Sequence, residues 1–304
     1  MKKIVVFTIV IFAFFFQKQV AGQQYPFYNL YSNNKFLYNP AHTGDKELFT
    51  AFMHSRRQWL GFDGAPKTLS VGFHAPVNED VGLGLNIRSQ TEGIFERLGA
   101  NVSYSYTLSI NNFHSLTFGV SGGFLNMKIN QSKARVTSLD DPGLYDDYYD
   151  KTRFDASAAL VYRWKNLELD IAAPQLFTMS ERIIGMFTYR FEVANKKVHI
   201  MPIAMYQLLP QSPDQYDAGM QLAWKQRIWL EGLYRSNENL VFSCGFNFNS
   251  IGFGYAYEVN SNELMDISDG SHEVVVHFFF GKKGQEEEKE MEEEVHELEK
   301  DAKE

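Results

Sequence analysis

Apolar and polar residues alternate along most of this chain with a period of two. Leu69, Val71, Phe73 and Ala75 are interleaved with Thr68, Ser70, Gly72 and His74; Val81, Leu83, Leu85 and Ile87 with Gly82, Gly84, Asn86 and Arg88. Between 98 and 108, Leu98, Ala100, Val102, Tyr104, Tyr106 and Leu108 fall on one face, and Gly99, Asn101, Ser103, Ser105 and Thr107 on the other. Successive side chains of a strand point to opposite faces, so such runs predict strands with one apolar and one small, polar face. They recur near 48–56, 67–75, 80–90, 95–108, 115–128, 153–163, 167–173, 183–193, 197–208, 214–224, 226–235, 239–248, 251–259 and 271–280, about fourteen in all.

The connections between strands differ by parity. Every second one is short: PVNE, SINNFH, WKN, ANK, Lys225-Gln226 and Asn249-Ser250. The others are usually longer, as at 57–66, 129–152, 174–182 and 260–270. A soluble sandwich has no reason to sort its loops this way. An up-and-down barrel in an outer membrane does, with short periplasmic turns and long external loops. Tyr and Phe crowd the strand ends, as in Phe253-Gly-Tyr255-Ala-Tyr257 and Phe278–Phe280, like the aromatic girdles of membrane barrels. The small, polar face then lines a lumen and the apolar face meets lipid, with Val274, Val276, Phe278 and Phe280 outward on the last strand. The expectation is an all-β, up-and-down antiparallel transmembrane β-barrel over 48–280.

The ends of the chain modify this picture. Lys2 and Lys3 precede thirteen almost wholly apolar residues, Ile4 to Phe16, followed by a small-residue exit at Ala21-Gly22. Thirteen helical residues rise only about 20 Å against a bilayer core of about 30 Å, so 1–22 is read as a cleaved signal peptide. Residues 23–47 are assigned to a periplasmic N-terminal segment. Residues 281–304 hold eleven acidic residues and five lysines, net −6 of the chain's −8. With an even strand count this acidic tail hangs in the periplasm, either disordered or helical. Met291, Val295, Leu298 and Ala302 fall at i, i+4, i+7 and i+11, an apolar stripe of helical period that would gain order in a partner's groove. The near-neutral body has no basic stripe, which argues against nucleic acid as a partner.

Candidate chemistry is sparse. Cys244 stands alone, which excludes disulfides within the chain and cysteine clusters; it is read as a small buried hydrophobe. Gly119-Val-Ser121-Gly-Gly123 fits G-x-S-x-G but falls inside a strand, where no nucleophile elbow forms. His272 and His277 point to opposite faces of one strand and cannot share an ion. The loop carrying Asp140, Asp141, Tyr145, Asp146, Asp147, Tyr148, Tyr149 and Asp150 could offer carboxylates to calcium, which takes six to eight oxygens, but its spacing is not that of an EF-hand. It reads better as a solvated external loop suited to gripping a surface protein. Arg88, Asp155, Arg163, Glu168, Asp170, Arg190, Glu192, Glu258 and Glu273 carry both signs on the lumen face, which favours ion pairs filling a narrow lumen over a selectivity ring. No catalytic residue, cofactor or metal site is expected.

In order along the chain stand Asn39-Pro40-Ala41-His42-Thr43-Gly44, then Arg57-Gln58-Trp59 and Gly64-Ala65-Pro66-Lys67-Thr68. Trp229, Gly232 and Tyr234-Arg235-Ser236 follow, then Gly254-Tyr255-Ala256-Tyr257 and Gly270-Ser271-His272-Glu273. Each stretch alone is weak, but the ordered set resembles the PorP/SprF family of outer-membrane proteins in the type IX secretion and gliding-motility systems of Bacteroidota. The resemblance implies a non-enzymatic barrel that supports secretion or surface anchoring of adhesins. Its partners would be outer-membrane lipid, a secreted surface adhesin, and a peptidoglycan-associated or ring component of the periplasmic apparatus, which the tail would dock. The barrel alone would equally permit a passive porin or small-solute channel.

Overall fold

The computed structural model describes residues 27–45, 48–130, 132, 151–177, 182–210, 212–248, 250–259 and 268–281. It contains β1 (Phe49–Arg57), β2 (Lys67–Pro76), β3 (Val81–Glu92), β4 (Phe95–Asn111), β5 (His114–Ile129), β6 (Lys151–Trp164), β7 (Leu167–Ala173) and β8 (Ile183–Tyr189). These are followed by β9 (Phe191–Val193), β10 (Val198–Leu208), β11 (Gln215–Trp224), β12 (Ile228–Arg235), β13 (Leu240–Phe248), β14 (Ile251–Val259) and β15 (Ser271–Phe280). Apart from β8 and β9, consecutive strands pair antiparallel, and β15 returns to β1, with Phe280 opposite Phe49 and His272 opposite Arg57. β8 and β9 pair in turn with the same strand, β10, and are separated by Arg190. They act as one interrupted strand, so the ring is a closed 14-strand barrel. Closure leaves no edge, and in lipid every backbone polar group must find its partner within the protein.

The face assignment holds strand by strand. On β2, Leu69, Val71 and Phe73 are 41–47% exposed, whereas Thr68, Ser70 and His74 are at most 5% exposed. Outward on β15 are Val274, Val276, Phe278 and Phe280, and inward are Glu273, Val275 and His277. Cys244 differs from its expected burial: it is exposed, between Phe242 and Phe246 on the outward face of β13, because a residue of its parity meets lipid. The short connections that follow Pro76, Asn111, Trp164, Val193, Trp224 and Phe248 lie at the same end as Phe49 and Phe280, the periplasmic end in barrels of this class.

The lumen is not uniformly polar. Inward residues of β2 to β6 include Ser70, Asn86, Ser103, Ser105, Ser121 and Ser157. On the other wall Ile184, Met186, Ile203, Met205, Trp229 and Leu233 also point inward, where they pack on Leu30, Tyr31 and Tyr38. At these positions the strands are apolar on both faces because the inner face meets protein rather than water.

Candidate functional site

Residues 27–45, the described part of the segment assigned above to the periplasm, touch inward side chains on nearly every side of the ring and so lie within it. Two 3₁₀ turns, Lys35–Leu37 and Pro40–His42, shorten this plug. The second is capped by Asn39, whose side chain accepts from the Ala41 amide at 2.9 Å, with Pro40 in the position where a missing N–H costs nothing. The plug backbone runs so close to the wall that only glycine fits opposite it. A Cβ on Gly82 would sit 2.1 Å from the Thr43 carbonyl oxygen, and one on Gly119 would sit 2.1 Å from the Ala41 nitrogen. Ser105 donates to the same Thr43 carbonyl at 2.6 Å. The G-x-S-x-G pentad therefore serves packing: Gly119 admits the plug, and Ser121 hydrogen-bonds Ser157 on β6.

Two polar clusters hold the plug. At the external half, Glu273 accepts from the backbone amides of Asn29 and Leu30, both at 2.8 Å, and pairs with His54 (2.6 Å) and Arg56 (2.8 Å). Arg56 reaches on to Glu258 at 2.7 Å. Glu258 also accepts from Asn29 Nδ2 and from Arg235, each at 3.0 Å, and Arg235 makes a forked contact with Asp217. Every one of these side chains is buried. Toward the periplasm, Lys35 pairs with Glu168 and Asp170, Arg163 pairs with Glu168 and Asp45 (both 2.7 Å), and His42 bridges Asp170 (3.1 Å) and Asp45 (2.9 Å).

Burial alone would push the His42 imidazole down, but the carboxylates of Asp170 and Asp45 outweigh it and hold the pKa up at about 9. The same balance, burial opposed by Glu168 and Asp170, keeps Lys35 above its ordinary value, and His42 and Arg163 hold Asp45 below its own. The cluster thus sets three basic side chains, Lys35, His42 and Arg163, against three acidic ones, Asp45, Glu168 and Asp170. The ligand-type atoms of His42, Glu168 and Asp170 lie within 4.8 Å of one another. With Lys35 and Arg163 already on those carboxylates, their charge is met without a cation. A cavity of about 370 Å³ opens between this part of the plug and the wall, lined in part by Lys165, Arg190, Thr188 and His277.

The residues singled out in the sequence separate into groups. Asn39, Pro40, Arg235 and Glu273 belong to the plug and its external lock. Trp59, Gly64 and Pro66 shape the 58–66 loop: the Trp59 amide donates to Ser271 Oγ, the Gly64 carbonyl accepts from Gly93, and the Pro66 carbonyl accepts from Gln58. Arg57 is exposed at the external end of β1. His272 and Tyr255 form a 2.7 Å hydrogen bond on the outer face. Among the lumen charges, Asp170, Glu258 and Glu273 are buried, whereas Arg190 and Glu192 are exposed at the mouth. His54, Arg56, Asp217 and Glu231 went unrecognised, although each shares the inward parity of its strand; Lys35, His42 and Asp45 lie outside any strand and carried no such signal. The leader at 1–22, the acidic loop (Asp140, Asp141, Tyr145–Tyr149) and the tail stripe (Met291, Val295, Leu298, Ala302) lie outside the described residues.

A closed barrel with lipid-facing aromatics and a lumen occupied by its own N-terminal segment defines an outer-membrane barrel with an internal plug. The chain belongs to the family of type IX secretion system membrane proteins PorP/SprF, whose model matches residues 20–278. Among curated proteins none matches the sequence. Among solved structures, the outer membrane protein Omp33 of Acinetobacter baumannii is similar at TM-score 0.50 and 7% identity, covering 78% of this chain and 100% of that one. The TodX monoaromatic hydrocarbon channel, in a deltaS2S3 mutant form, reaches TM-score 0.49 at 11% identity, covering 86% and 97%. At such identities the likeness to Omp33 speaks for the barrel fold alone.

Proposed function

We propose that this protein is a plugged, non-enzymatic accessory of the type IX machinery, exported with its leader removed, that supports secretion or surface anchoring of adhesins rather than solute passage. The observation that carries this reading is the lumen. Its plug is clamped by ion pairs toward both ends, fully buried ones at the external end, and packed on apolar residues along one wall, an arrangement suited to a rigid platform. Its external loops would meet the adhesin, the acidic 138–150 segment foremost. Its periplasmic tail would use Met291, Val295, Leu298 and Ala302 to engage a peptidoglycan-associated or ring component. The reading is tested in two arms. Purified protein in planar bilayers is expected to show no stable open-channel conductance, and deletion of the gene is expected to abolish surface display of a type IX adhesin. Open-pore conductance together with an unchanged secretome would make the protein a porin and overturn the proposal.

A further inference from the structure

The seam where the barrel closes carries a patch of cations on its lipid-facing side, at the external rim. His272, Arg57 and Lys67 are Cα partners across β15, β1 and β2. Each has the outward parity of its strand, shared with Val274, Met53 and Leu69. Directly opposed side chains start about 5 Å apart, so the three Cβ atoms span roughly 10 Å. Among the described residues no carboxylate pairs with Arg57 or Lys67. His272 is held by Tyr255, whose hydroxyl lies 2.7 Å from its Nδ1, and by the Tyr257 ring at 5.0 Å, which leaves Nε2 as the ring nitrogen for a ligand. The rest of the rim differs. Its outward residues include Ile183, Tyr206, Tyr216, Tyr234 and Leu240, while the charges beyond β3, Glu96 and Lys128, stand opposite each other and balance.

Height decides which solvent this patch meets. From Phe280 and Phe49 at the periplasmic end, the outward residues of β15 are Phe278, Val276 and Val274, and those of β1 are Ala51, Met53 and Ser55, before His272 and Arg57 are reached. The eight steps from Phe49 to Arg57, at about 3.4 Å each and tilted by about 40°, rise roughly 20 Å, close to an apolar band about 25 Å tall. The cations therefore sit where lipid headgroups begin. Beneath Arg57, Ser55 is half-buried between Val274 and Leu69, a shallow dip with a larger aliphatic side chain on either side. We propose that this seam binds a phosphorylated glycolipid of the outer leaflet. The forked donors of Arg57 and the Lys67 ammonium take the phosphate, the pairing that guanidinium geometry favours. His272 Nε2 meets the sugar, and an acyl chain lies over Ser55. Free phosphate would use only the upper half of such a site. The proposal rests on the external placement of the 58–66 loop and not on the secretion role.

The test uses the full-length protein in a neutral detergent, mixed with lipid A, with lipid A stripped of its phosphates, or with phosphatidylglycerol. Bound lipid is measured by native mass spectrometry across a concentration series. The wild type is expected to bind lipid A more tightly than either other lipid. R57Q/K67Q is expected to bind it about tenfold more weakly, the effect of two cations at a headgroup. K128Q, at the balanced pair on the same rim, should bind like the wild type, and heat modifiability checks that all three proteins are folded. Equal binding of lipid A by the wild type and R57Q/K67Q, or equal binding with and without its phosphates, overturns the proposal. Phosphatidylglycerol bound as tightly as lipid A would make the seam a site for any anionic lipid, and overturns it equally.

Discussion

Glu273 shows how much one side chain carries when it is buried. Its two oxygens accept from two plug amides, a histidine and an arginine, so no lone pair is left to water. Replacing such a buried ion pair with apolar residues can be neutral, but removing one partner strands the others. Glu273→Ala is therefore expected to cost about 3–5 kcal/mol in urea titrations, while Arg57→Ala, whose side chain is exposed, stays near wild type. His42 adds a pH dependence. Its neighbours are Asp170, Asp45 and Arg163, whose Nη2 lies 3.3 Å from His42 Nδ1, with Lys35 reaching the same Asp170. Because its folded pKa, about 9, lies above the ordinary 6.5, its contribution is complete below about pH 6.5 and is lost as pH rises through 9. Asp45, held below its ordinary value, acts in the opposite sense and loses its contribution in acid. Plug docking is thus expected to weaken between pH 8 and 10, seen as faster tryptic cleavage at Lys35, and His42→Gln should flatten that profile.

The plug is the element whose placement depends on glycine in the wall. Gly119 stands against Ala41 with no room for a methyl group, yet its own strand would accept a larger residue without strain. Gly119→Val is expected to displace the plug and leave the barrel intact: heat modifiability is retained, Lys35 becomes protease-sensitive, and channel conductance appears. The control is Gly185→Ala on β8, where an added Cβ meets nothing within 4 Å and should change nothing. If Gly119→Val left the plug protected, the close approach at Ala41 would be wrong.

For the molecule as a whole, the two solvents of the barrel set the rules. Val102 is 58% exposed on the lipid face and its neighbour Asn101 points inward beside polar groups. Val102→Arg near the membrane midplane should cost roughly 2–4 kcal/mol in refolding into lipid vesicles, and Asn101→Arg distinctly less. Equal penalties would mean that the faces are reversed. Orientation follows from loop lengths, so an epitope in the 58–66 loop should be labelled on intact cells and one at Asn111-Asn112 should not.

The alternation of residues such as Leu69 to Ala75, together with loop parity, was enough to determine the barrel, its strand count and its lipid face. A two-residue period is a local property, and the bilayer rewards it directly. Family membership was legible too, through the ordered short motifs from Asn39 to Glu273. The plug was not. Lys35, His42 and Asp45 show no period, and their partners Glu168, Asp170 and Arg163 lie more than a hundred residues away in the chain, so only closure of the ring brings them together. For the same reason the inward Ile184, Met186, Ile203 and Met205 were ambiguous: a residue's parity says which way it points, but only the tertiary structure decides whether water, lipid or the chain's own N-terminal segment is waiting there.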